Sequence, residues 1–98
     1  MIKVVYTENF SNWLNAIKDS STRFRLIRRI ERLQSGHLGD VKKIGDDLYE
    51  MREFFGPGWR MYYLQHAKTI VVMLGGGDKK SQSDDIKLAK KIVKELRE

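Results

Sequence analysis

Cysteine is missing from this chain, which excludes disulfides, thiolate metal sites and a thiol nucleophile. Proline occurs once, at Pro57. The two histidines, His37 and His66, lie too far apart for a zinc motif, and each reads as incidental. No apolar run approaches the ~18–20 residues of a membrane-spanning helix. The opening MIKVVYTENF is too short and too polar for a signal peptide. A cytoplasmic protein with no membrane, metal or cofactor is therefore expected. The vicinal acids Asp46-Asp47 and Asp84-Asp85 read as turn and helix-start residues rather than as paired catalytic carboxylates.

Positive charge is abundant. Nineteen Lys and Arg against thirteen Asp and Glu leave +6 on 98 residues. A compact cation of this kind attracts polyanions, and each phosphate it neutralises releases counterions. Many small basic proteins instead bind an acidic protein, so both partners stay open at this level. Hydrophobic residues at 41% and charged residues at 33% fit one globular domain spanning 1–98.

Along the chain, Ile2–Tyr6 is a short β-branched strand. Thr7 can cap a helix in which Phe10, Trp13, Leu14 and Ile17 share a face. Asp19-Ser20-Ser21-Thr22 breaks it and starts a second helix with Leu26, Ile27, Ile30 and Leu33 on one side, ending near Gly36. Its arginines, Arg23, Arg25, Arg28, Arg29 and Arg32, read as a solvated face or as a contact for RNA or an acidic protein segment. Trp13 is expected in the core, Trp59 in the core or at its rim. The period then changes. Val41–Ile44, Leu48–Phe54, Trp59–His66 and Thr69–Leu74 read as strands, the last ended by Gly75-Gly76-Gly77. Ser81 to Asp85 opens a last helix with Ile86, Ala89, Val93 and Leu96 on its seam. The expected fold is α+β, ordered β-α-α-β-β-β-β-α. An N-terminal helical hairpin and a C-terminal helix pack on a largely antiparallel sheet.

The turn Phe55-Gly56-Pro57-Gly58-Trp59 decides the strand register. A three-residue Gly-Pro-Gly loop with Gly58 in the left-handed region pairs Phe55 with Trp59 and Arg52 with Tyr62. Arg52, Arg60 and Tyr62 then share a solvated face, with Met51, Met61 and Tyr63 turned toward the helices. A four-residue loop would split the arginines between faces. Two such arginines read as ordinary surface charges or as the two sides of an anion site. The segment LGGGDKKS lacks the spacing of a P-loop, and reads as a strand-to-helix turn whose N–H groups and lysines are available to an anion.

The pieces GDVKKIGDDLYEMRE, GPGWRMYY and LGGGDKKSQ, in that order, resemble the addiction-module killer proteins of the RelE/HigB superfamily, especially its phage-derived branch. With the N-terminal strand and helical hairpin, the resemblance spans nearly the whole chain. It implies the toxin of a type II toxin–antitoxin pair: a ribosome-associated mRNA endoribonuclease that works without metal and is neutralised by a proteic antitoxin, often of helix-turn-helix type. Arg60 stands where the family keeps an arginine for the reacting phosphate, and Arg52 at a basic position on the preceding strand. Asp78, Lys79 and Gln82 match the branch's signature, while Lys80 stands where a small polar residue is commoner. Several relatives use a Tyr or His near the C-terminus, and this chain has neither after His66.

In such a reaction the 2′-OH attacks the adjacent phosphorus. Arg60 and Arg52 suit the growing phosphate charge, because a guanidinium grips phosphate oxygens with a planar fork. Lys79 and Lys80 are the candidate bases, a role open to a lysine only where neighbouring cations disfavour its charged form. Tyr62 is the expected stacking platform, with Lys42, Lys43, Asp78 and Gln82 as further RNA-binding residues. The alternatives are a non-catalytic toxin of the same fold that binds a protein such as DNA gyrase, and a nucleic-acid-binding protein without toxicity.

Overall fold

A computed structural model describes all residues, Met1–Glu98. In chain order the elements are β1 (Lys3–Tyr6), α1 (Glu8–Ala16), α2 (Ser20–Gln34), β2 (Val41–Gly45), β3 (Leu48–Arg52), β4 (Arg60–Ala67), β5 (Ile70–Gly77) and α3 (Gln82–Leu96). The expected α+β order is the observed one. One five-stranded sheet runs β1-β5-β4-β3-β2; β1 joins β5 in parallel and the other neighbours are antiparallel.

Local chemistry sets the helix starts. The Thr7 hydroxyl accepts the Phe10 N–H, and the Asp19 carboxylate accepts those of Ser21 and, from its hydroxyl, Thr22. Both helices lie on one face of the sheet. Phe10 and Leu14 from α1 and Leu26, Ile30 and Leu33 from α2 close over Met51, Met61, Tyr63, Val71 and Met73. Each large apolar side chain so buried contributes ~1.5–3 kcal/mol. Trp13 and Trp59 seal the rim of this core, with ring centroids 6.2 Å apart. α3 covers part of the other face, burying Leu48, Tyr62, Leu64, Leu74, Ala89 and Val93.

Three expectations are corrected. The β3–β4 pairing sets Arg52 opposite Arg60 and Glu50 opposite Tyr62, two residues away from the predicted register. The loop is longer than Gly-Pro-Gly: Glu53 N–H donates to the Trp59 carbonyl at 2.9 Å, leaving Phe54–Gly58 outside the ladder. Arg29 on Glu53 and Arg25 over the Phe55 ring, at 3.6 Å, anchor that loop against α2. Because both loops have an odd number of residues, side-chain parity survives, and Arg52, Arg60 and Tyr62 still share a face. Gly58 does take the left-handed conformation, with φ 80°.

Second, that face is not open, since α3 packs on it. Third, Gly75–Gly77 continue β5 rather than end it. They are glycine because side chains rest directly on the backbone. A Cβ at Gly76 would meet the Trp13 ring at 2.5 Å, and one at Gly77 the Asp85 carboxylate at 1.9 Å.

Candidate functional site

Arg52 and Arg60 end β3 and begin β4 as register partners on the α3 side of the sheet. Like charges so placed repel, and each has its own carboxylate. Arg52 Nη2 donates to Asp40 Oδ1 at 3.1 Å, which holds the guanidinium above its ordinary pKa. Arg60 Nε lies 3.8 Å from Glu50 Oε2, and its Nη1 donates to the Gly58 carbonyl at 2.7 Å. Arg52 keeps about a third of its side chain in solvent, 34%, whereas Arg60 is 9% exposed. The Nε–H groups of both arginines are buried and find no acceptor within the protein. Such donors are ordinarily met by an ordered water or by a bound acceptor.

The β5–α3 turn reaches the same place. Lys79 N–H contacts the Pro57 carbonyl at 3.5 Å, and the Lys79 Cβ lies beside Gly58, next to the Arg60 guanidinium. Lys79 and Lys80 are exposed. Gln82, in the first turn of α3, donates from Nε2 to Glu50 Oε2 at 2.8 Å, joining the signature segment to the arginine pair. Lys42 pairs with Glu50 and so projects from the same face, exposed on the edge strand β2.

Other expected residues fall elsewhere. Tyr62 is fully buried under α3, so it offers no ring to a base; burial and the nearby Glu50 push its hydroxyl pKa strongly up. Lys43 pairs with Tyr49 and projects from the opposite face. The Asp78 carboxylate accepts the Ser81 N–H at 3.0 Å, which draws its pKa below the ordinary value and closes the turn that leads into α3. Of the α2 arginines, Arg29 is not on a solvated face. It is 4% exposed and donates to the carbonyls of Leu38, Asp40 and Arg52 and to Glu53 Oε1.

Glu50 and Asp40 are members of the cluster that sequence reasoning passed over. Glu50 was within reach: Glu50 and Arg52 stand two apart in a strand and must share its face. Asp40 lies in the turn before β2, where no periodicity speaks for it.

The family model for phage-derived protein Gp49-like (DUF891) matches residues 12–97. The chain belongs to this family. An uncharacterized protein of Haemophilus influenzae is 38% identical over 95 residues, covering 97% of this chain and 96% of that one. Among solved structures, a double-arginine mutant of the Escherichia coli toxin RelE in the free state superposes with a TM-score of 0.73 at 21% identity, covering 94% of this chain and 97% of RelE. A chain of the intact E. coli RelBE toxin–antitoxin complex gives 0.64 at 20% identity, covering 80% and 96%. The Gp49-like chain therefore has the RelE fold. No helix of it is long and apolar enough to cross a membrane.

Proposed function

We propose that this Gp49-like protein is the toxin of a type II toxin–antitoxin module, a ribosome-associated mRNA endoribonuclease that inhibits translation in the cytoplasm. The observation that supports it most is the Arg52–Arg60 pair: two guanidiniums opposed on one sheet face, each with an unsatisfied Nε–H, and Lys79 beside them. The scissile phosphate takes the place between them. Its oxygens accept from the two guanidiniums, drawing Arg60 from Glu50 and turning the buried Nε–H donors toward the phosphate. The 2′-OH attacks phosphorus, forming a cyclic phosphate as the bond to the 5′ oxygen breaks. The proton leaves the 2′-OH and another reaches the 5′ oxygen, with Lys79 and Lys80 as the nearest exposed transfer groups. Glu50 and Gln82 hold Arg60 in place between turnovers, and Lys42 extends the cationic face toward the flanking strand.

The RelE fold also supports an antitoxin encoded beside the gene, of helix-turn-helix type as the family resemblance implies. Inducible expression of the wild type, Arg52→Ala and Arg60→Ala, with growth and transcript ends followed together, tests the reading. Loss of both arrest and cutting in folded variants supports it. Arrest without transcript cuts, unchanged by Arg60→Ala, favours a toxin that binds a protein target, a reading that the missing C-terminal Tyr or His keeps in view. Failure to capture the neighbouring gene's product in a pulldown would count against the toxin assignment.

A further inference from the structure

A second cationic concavity lies away from the Arg52–Arg60 pair. A cleft of about 300 Å³ lies on the outer side of α2, lined by Phe24, Arg25, Arg28, Arg32 and Glu53. Phe24 is 59% exposed in it, and the Arg28 guanidinium sits 5.7 Å from its ring centroid. Arg25 is laid flat on Phe55, so its direction is set by stacking. The one lining carboxylate, Glu53, already accepts from buried Arg29 and lies 4.0 Å from Arg32. Arg28 shares only an exposed contact with Glu31 at 3.8 Å. Three arginines and one carboxylate line the cleft, which leaves a surplus of two positive charges.

We propose that this cleft is a second RNA subsite, taking phosphates on Arg25, Arg28 and Arg32 and an unstacked base on Phe24. Arg25 and Arg32 stand seven residues apart on one helix stripe, about 10 Å along the axis. That is close to three steps of a stacked strand at about 3.4 Å per phosphate. Exposed aromatic rings among arginines are what sequence-tolerant single-strand binding requires. A protein partner would have to bring acidic side chains to meet these arginines, and the test separates that outcome. The cleft lies across the sheet from the first site and is linked to it at the end of β3, where Glu53 follows Arg52 directly and Arg29 ties both to α2. The inference rests on the RNA reading proposed above.

The test measures binding of a labelled, 2′-O-methylated single-stranded 12-mer RNA, which cannot be cleaved through its own 2′ oxygens, across a salt series. The proteins are the wild type, Phe24→Ala, Arg28→Ala/Arg32→Ala and Arg52→Ala. The altered α2 side chains are exposed, and matching thermal melts check the fold. Loss of two phosphate contacts lowers the log–log salt slope by about 1.4 and weakens binding about twentyfold at 0.1 M salt. Phe24→Ala weakens binding about five- to tenfold with the slope unchanged, because stacking releases no counterion. Unchanged affinity and slope in Arg28→Ala/Arg32→Ala, with Arg52→Ala weakened, overturns the subsite and leaves the RNA reading standing. Unchanged RNA binding with lost capture of the neighbouring gene's product also overturns it, assigning the cleft to a protein. Weakening in the α2 variants alone supports the subsite and removes Arg52 from RNA contact.

Discussion

Arg52 and Arg60 stand directly across from one another on β3 and β4, each leaning on a different carboxylate in a different environment. The Arg52–Asp40 pair is about one-third exposed on both sides, and exposed ion pairs contribute only ~0–1 kcal/mol. The Arg60–Glu50 pair is closed in, with Glu50 fully buried. Removing one partner of a buried pair costs ~3–5 kcal/mol, because the other charge is left uncompensated.

The two arginines therefore separate in a stability measurement. Arg52→Ala is expected to melt close to the wild type, and Arg60→Ala well below it by urea or thermal unfolding. Glu50→Gln/Arg60→Ala should recover most of the loss, since the amide is uncharged and its oxygen still accepts from Gln82. If the activity proposed here depends on the guanidinium, that double variant is folded and inactive. An Arg60→Ala protein as stable as the wild type would show that Glu50 does not depend on it.

Arg29 is the second residue whose loss should be severe. One side chain satisfies three carbonyls and Glu53 across the junction of α2, the turn before β2, and β3. Arg29→Ala removes the donor shared by these acceptors and leaves partly buried Glu53 with only Arg32 at 4.0 Å, at a cost of ~3–5 kcal/mol by analogy with a broken buried pair. Arg29→Lys should recover little, because a single ammonium cannot reproduce the planar fork. Full stability of Arg29→Lys by chemical denaturation would refute the clamp.

These two residues also mark what was legible in the sequence. The element order followed from periodicity: apolar positions three and four apart in α1 and α2, continuous apolar character in β5, and side-chain oxygens at Thr7 and Asp19 as helix starts. Parity on β3 and β4 was legible too, and with it the shared face of Arg52 and Arg60. Register was not, because the length of the Phe54–Gly58 loop is set by arginines of α2 that are remote in sequence. Burial of Tyr62 and Arg29 was hidden for a related reason. A strand or helix pattern says which residues share a side, not which distant element lands on it. The glycines of β5 read locally as a turn, and only the approach of Trp13 and Asp85 explains them as strand.

The entry to α3 has a pH dependence of definite sign. The Ser81 N–H donates to the Asp78 carboxylate and lowers its pKa in the folded state. A carboxyl whose folded pKa is depressed contributes stability above its unfolded value, near ~3.9, and loses it as pH falls through the folded value. The difference in melting temperature between the wild type and Asp78→Asn should therefore be full at pH 6 and shrink below about pH 4. A difference that stays constant to pH 2.5 would show that the carboxylate charge does not hold this turn.

Gly77 tests whether the position of α3 matters to the site. An added Cβ there would lie 1.9 Å from Asp85 Oδ2 and 2.6 Å from Ser81 Oγ, two atoms hydrogen-bonded to each other at 2.5 Å. Relief requires the first turn of α3 to retreat, and overpacking of this kind costs ~1–3 kcal/mol. The same turn carries Gln82, so retreat also draws its amide from Glu50 and loosens the group that faces Arg60. Gly77→Ala is therefore expected to lose more activity than its modest destabilisation explains, with transcript cutting falling while the chain stays folded. Asp85→Ala in the same chain removes the nearer obstacle, so the double variant should recover stability and cutting together. Recovery of stability alone would mean that α3 serves only as a cover for the sheet.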